Sequence, residues 1–255
     1  MFFTDSVFVG VDPTSFHKSF TYAALDRGLN LVALSDGELD EVTAFLAGQQ
    51  AAMVAVNAPS GLSRGLARGK KREMFKSQKT RAAGFRLAEI ELRERGISVT
   101  GTPSTPGACP AWMQNGFALY RKLEKMGFKK YPAEREAYQI METHPHACYS
   151  VLGGALPMPK PSLEGKLQRQ LLLYECGLQI KDPMRFFEEI TRHKMIKGVW
   201  PLELLYQPEQ LDALVAAYTA WLAAHKPDQT VFVGEAKEGR ILLPAKDLKE
   251  KYSGQ

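Results

Sequence analysis

Three apolar runs crowd the first 35 residues, and the chain between them is too short to cross a sheet. SVFVGVD (Ser6–Asp12), SFTYAALD (Ser19–Asp26) and LNLVALS (Leu29–Ser35) are rich in the β-branched and aromatic residues that fill strands. Parallel neighbours need a connection of about a dozen residues or more, so these three runs must pair as an antiparallel meander. Arg27-Gly28 supplies the tight turn between the second and third. DGELDEVTAFLAGQQ then places Leu39, Val42, Phe45 and Leu46 at helical spacing, with acids in its first turn. AAMVAVNAP (Ala51–Pro59) is continuously apolar and stopped by proline, as a strand buried on both faces would be. Reached through a helix, it runs parallel to an earlier strand by a right-handed crossover.

The same reading continues down the chain. Helices are expected over Lys79–Arg95, Trp112–Met126, Leu163–Cys176, Pro183–Arg192 and Pro208–His225. GTPSTPGACPAW is a Pro- and Gly-rich loop. EAYQIMET (Glu136–Thr143) is a strand candidate, and Pro145 fits the first turn of a helix over HACYSVLGG. TVFVGEAKEGRILLP closes the chain as a hairpin turning at Lys237–Gly239. The expectation is one α/β domain over residues 1–255, with a mixed sheet, a loop insertion at 62–81 and a helical elaboration at about 155–207.

Charge is unevenly placed. The segment Arg64–Arg81 carries eight basic residues against one acid, Glu73, a net +7 that exceeds the +5 of the whole chain. Such a run attracts polyanions, nucleic acid phosphates above all, or else forms a solvated loop. A membrane partner is not expected, because no apolar run approaches the ~20 residues needed to span a bilayer. The start MFFTDSVFVGVD has an acid and no basic region, unlike a secretory signal. Cys109, Cys148 and Cys176 are odd in number and form no CxxC, so a cytoplasmic protein with small buried thiols and no disulfide-linked partner is expected.

Polar residues end several of the apolar strands, where open α/β sheets place their ligands. Asp12 ends the first, Asn57 the strand after the crossover and Glu142 the late strand, while Asp212 opens the last long helix. Convergent carboxylates are costly to bury without a cation, and an oxygen-rich set selects Mg²⁺ or Mn²⁺ over zinc. Each also has a local role open to it. Asp12 fits the turn Asp12-Pro13-Thr14-Ser15, Asn57 a loop hydrogen bond, Glu142 a salt bridge and Asp212 a helix's first turn. In ETHPH, His144 and His146 flank a proline at a spacing unsuited to zinc; one is expected to line the site, the other to be a surface or capping residue.

The series GVD, VNAPSGL, ETHPHACYSVL, LDALVAAYTAW and EGRILLP resembles the domain-of-unknown-function family 429, predicted RNase H-like nucleases, from about Val7 to Pro244. The resemblance implies an RNase H-like fold of antiparallel meander plus parallel strands with crossover helices, as read above from periodicity. It also implies a two-metal nuclease site in which Asp12 bridges the ions while Glu142 and Asp212 complete their shell. The family's further motif is an aspartate followed by Ala-Pro; this chain has Asn57-Ala58-Pro59, a neutral amide in place of an anion. The resemblance extends to basic residues at Lys166 and Arg169, which either reach phosphates or solvate the outer face of their helix; Lys70, Lys71, Arg72, Arg81 and Arg86 are expected to reach phosphates too, or, for Arg86, to pair with Glu89.

Three functions follow as expectations: a metal-dependent phosphodiesterase on DNA or RNA, a nucleic-acid-binding module whose site has decayed at Asn57, and a nucleotide-phosphate binder of the actin and sugar-kinase type. The last lacks the usual glycine-rich adenosine loop.

Overall fold

The computed structural model describes residues 6–14, 18–67 and 84–254. Strands β1 (Ser6–Asp12), β2 (Phe20–Leu25) and β3 (Leu31–Gly37) form the antiparallel meander. Helix α1 (Leu39–Ala47) carries the chain back to β4 (Ala51–Val56), which lies parallel to β1. The sheet grows by β6 (Tyr138–Glu142), parallel to β4, and by the terminal hairpin of β7 (Val231–Val233) and β8 (Ile241–Leu243). Its order is β3-β2-β1-β4-β6-β8-β7, with the two-residue β5 (Lys129–Lys130) also beside β6. Among the described residues, eight strands of mixed direction and crossover helices make an RNase H-like α/β fold.

Both faces of the sheet are covered, which is why β1 and β4 read as continuous apolar runs. Phe8, Met53 and Ala55 point to one side, against α4 (Pro145–Gly153) and the long α8 (Pro208–His225). Val9, Val11, Val54 and Val56 point to the other, which is closed by α1 and α3 (Ala111–Lys125). Helix α8 is alanine-rich and crosses β1 at close quarters. A Cβ on Gly10 would stand 1.9 Å from the Ala213 carbonyl oxygen and 2.3 Å from the Ala217 nitrogen.

Some boundaries differ from the sequence expectation for identifiable reasons. The third strand begins at Leu31, not Leu29, because Asp26 accepts the Gly28 and Asn30 N–H groups and Leu29 takes a positive φ of 62° in that turn. The helix expected over Lys79–Arg95 is α2, Leu87–Glu94. Arg86 is extended before it, and its N–H donates to Glu89 in a capping box. The rest of that expected helix, up to residue 83, lies outside the described residues. The expected helix Pro183–Arg192 is replaced by α6 (Arg185–Glu189) and α7 (Arg192–Ile196), since the Thr191 side chain caps a new helix start at Lys194 N–H. Together with α5 (Leu163–Glu175) these form the helical elaboration.

Candidate functional site

Register brings the strand-end residues together. Val11, Val56 and Glu142 lie side by side on β1, β4 and β6. The ladder continues one step further, with Asn57 N–H donating to the Val11 carbonyl and Thr143 N–H to that of Val56. The carboxyl ends of three parallel strands therefore open on one cleft of about 300 Å³, lined among others by Asn57, Glu142, Lys160 and Asp212. Its position is where the sheet topology places a ligand.

Asp12 is fully buried at the end of β1. Its Oδ1 accepts the Thr14 N–H at 3.1 Å, the Thr14 hydroxyl at 2.8 Å and the Asn57 Nδ2 at 3.2 Å. The turn role and the proximity to Asn57 thus coexist. Its Oδ2 is buried and has no hydrogen-bond partner among the described residues. Burial, with the charge of Asp212 beside it, pushes the carboxyl up to about 7 against the opposing pull of Lys160 and Thr14.

Asp212 sits a full turn inside α8, whose first-turn acid is Glu209. The helix starts at Pro208 as expected, so Asp212 does not open it: it stands a turn inside and faces the cleft instead of serving the helix end. The Lys160 Nζ lies 2.5 Å from its Oδ2. Burial raises the Asp212 carboxyl, and Lys160 and then Arg169 pull it back. The Lys160 ammonium, half-buried, is held above its ordinary value by Asp212 and Asp12 despite desolvation. It is the counter-charge to both acids. Sequence reasoning missed it, because a lone lysine in MPKPS has no spacing that distinguishes it.

Glu142 is only 4% exposed, and both its oxygens are engaged. Arg86 grips it with both terminal nitrogens, and the Ser60 N–H adds a bond at 2.8 Å. The Arg86 Nε reaches Glu89 at 2.8 Å, and Glu89 in turn accepts the Thr102 N–H and hydroxyl. Burial works against the Arg86 charge, yet Glu142 and Glu89 hold its guanidinium above its ordinary value. Arg86 is thus the partner of two carboxylates, not a group presented to a phosphate. The i,i+3 pairing with Glu89 was expected; the bridge to Glu142 was not.

Both histidines line the cleft, whereas one had been expected at the surface or as a cap. His144 does both, since its Nδ1 accepts the Ala147 N–H at the start of α4. Burial and then His146 push it down to about 3, so it stays neutral. Burial also lowers His146, helped by Arg169 and Lys160. Arg169 is 2% exposed and donates to the Met158 and Gly165 carbonyls, both at 2.9 Å, which gives it a structural place. Lys166 is half-buried on α5 and does not line the cleft. Lys70, Lys71, Arg72 and Arg81 lie outside the described residues.

Among the described residues, no three His, Cys, Asp or Glu side chains are grouped as a metal-ion site. Glu142, closed by Arg86, is not part of an open donor set. Asp12 and Asp212 remain, with an orphaned carboxylate oxygen and an ammonium where a cation would lie. That pair suits one hard cation in the place of Lys160, not two.

A family model described as "Protein of unknown function (DUF429)" matches residues 10–238. No curated protein and no solved structure matches the chain.

Proposed function

This chain belongs to the domain-of-unknown-function family 429, and from that premise we propose that it is a metal-dependent phosphodiesterase acting on nucleic acid. The observation that carries the reading is the buried pair Asp12 and Asp212, balanced by one ammonium and holding an oxygen without a partner among the described residues. In this reading Asp12 and Asp212 would hold one Mg²⁺ or Mn²⁺, with the Lys160 ammonium beside them able to meet the substrate's phosphate. Bound there, the ion supplies Lewis acidity and charge neutralisation at phosphorus. Arg86 and Glu142 form a rigid wall that shapes the cleft.

The test is cleavage of labelled DNA and RNA in Mg²⁺ and in Mn²⁺ beside an Asp12→Ala control. The expected result is metal-dependent cleavage reduced at least ~100-fold in the variant. Absence of cleavage in every condition, or a control as active as the wild type, refutes the proposal.

One observation favours a second reading, a nucleic-acid-binding module without turnover. The Asn57 amide donates to Asp12, a bond that an aspartate in its place could not make, and Glu142 is closed by Arg86. Titration calorimetry of Mn²⁺ into the wild type and Asn57→Asp separates the two. Metal affinity gained only in Asn57→Asp supports the decayed site.

A further inference from the structure

Behind the Glu142–Arg86 wall lies a larger cavity, of about 640 Å³. Glu142 lines both cavities, so they lie on either side of it at the end of β6. The second is rimmed by Arg64, Lys130, Lys237 and Arg240, and its apolar side is made by Tyr131 and Phe232. The Arg240 guanidinium lies 4.0 Å over the Phe232 ring. The Tyr131 and Phe232 ring centroids are 6.0 Å apart at 36°. The two acids of the lining are turned to internal donors. Glu142 is held by Arg86 and Ser60, and Glu238 accepts the N–H groups of Arg64, Leu66 and Leu87. Lys130 has an ion pair to Glu124 at 3.6 Å, but both side chains are well exposed and such a pair is easily exchanged for a phosphate.

Gly239, at φ 97°, lets the β7–β8 turn pack directly against that wall, since a Cβ there would stand 2.5 Å from Ser60 Oγ and 2.8 Å from the Arg86 terminal nitrogen.

We infer that the second cavity is a subsite for single-stranded nucleic acid, with its phosphates on the four cations and a base stacked on the Tyr131–Phe232–Arg240 platform. Cations interleaved with half-buried aromatic rings along one cavity are the combination that binds single strands without reading their sequence. A duplex, whose bases are already stacked inside it, offers nothing to a concave aromatic wall. The inference deepens the proposed function, on which it rests for the direction of the strand toward Asp12 and Asp212.

The test is fluorescence anisotropy with a labelled single-stranded oligonucleotide and a hairpin duplex of equal charge, in EDTA so that cleavage plays no part. Lys237→Gln combined with Arg240→Gln should weaken single-strand binding about tenfold and flatten the salt dependence by ~1.4 in log–log slope, two contacts at ~0.7 each. Phe232→Leu, which keeps an apolar side chain in place, should weaken binding with the slope unchanged. Duplex binding, and single-strand binding by a Lys194→Gln/Lys197→Gln pair at the end of α7, should not change. The inference is overturned by a loss under about twofold, by an equal loss for the duplex, or by an equal loss in the α7 variant. A wild type that binds no single strand in EDTA also sinks it, and leaves the cleavage test of the proposed function standing.

Discussion

Replacing Arg86 by methionine tests the wall of the site. The guanidinium is 1% exposed and sits between two carboxylates, Glu142 at 4% and Glu89 at 1%. The substitution keeps an unbranched side chain but removes donors to Glu89, to both oxygens of Glu142 and to the Glu238 carbonyl. Two buried anions are left without their cation, and breaking one partner from a buried ion pair destabilises by about 3–5 kcal/mol. For a chain of this length, about 3 °C per kcal/mol predicts a melting temperature lower by roughly 10–15 °C. The penalty exists only while the orphaned groups are ionised. Lowering the pH relieves part of that penalty, so the variant's stability relative to wild type falls as pH rises. Urea unfolding followed by circular dichroism at pH 5 and pH 8 should show the larger deficit at pH 8. Adding Glu142→Gln should recover part of it, because one of the two charges is gone. A deficit below about 1 kcal/mol at pH 8, or a deficit that is equal at both pH values, refutes the reasoning.

Two further outcomes follow from the same geometry. The Asp12 carboxyl is raised to about 7 by burial and Asp212, so the stability linked to its proton is present at pH 4 and lost as pH rises through 7. Asp12→Asn should then be more stable than wild type by about 1–3 kcal/mol at pH 8 and no more stable at pH 4, as read from paired denaturant melts. Gly10→Ala places a methyl 1.9 Å from the Ala213 carbonyl oxygen, so α8 must move off β1. A loss of about 3 kcal/mol or more is expected in thermal unfolding, and a variant as stable as the parent would mean that the helix does not approach so closely.

Periodicity and connection length are local properties, and they sufficed for the scaffold. Short links among three apolar runs dictate the meander, an intervening helix dictates the parallel β4, and α8 runs from Pro208 to His225 as its pattern indicates. Because strands that pair in register end together, the sequence also determined that Asp12, Asn57 and Glu142 share one edge of the sheet. The family motifs agree with that edge.

What those side chains face was decided only in three dimensions. Glu142 meets Arg86 across 56 residues of chain, and Asp212 meets Lys160 across 52. Neither cation sits at a spacing that points to its acid. Arg86 is extended ahead of α2 because Glu89 caps that helix, and the guanidinium is then free to reach β6. Lys160 comes from an irregular loop, where no period constrains direction. A carboxylate's role depends on the charge and solvent within a few ångströms of it, and those neighbours come from distant parts of the chain. The sequence could name the acids at the strand ends and on the last helix; only the packed structure could say that one is closed by arginine, one balanced by lysine and one left with an oxygen unpartnered among the described residues.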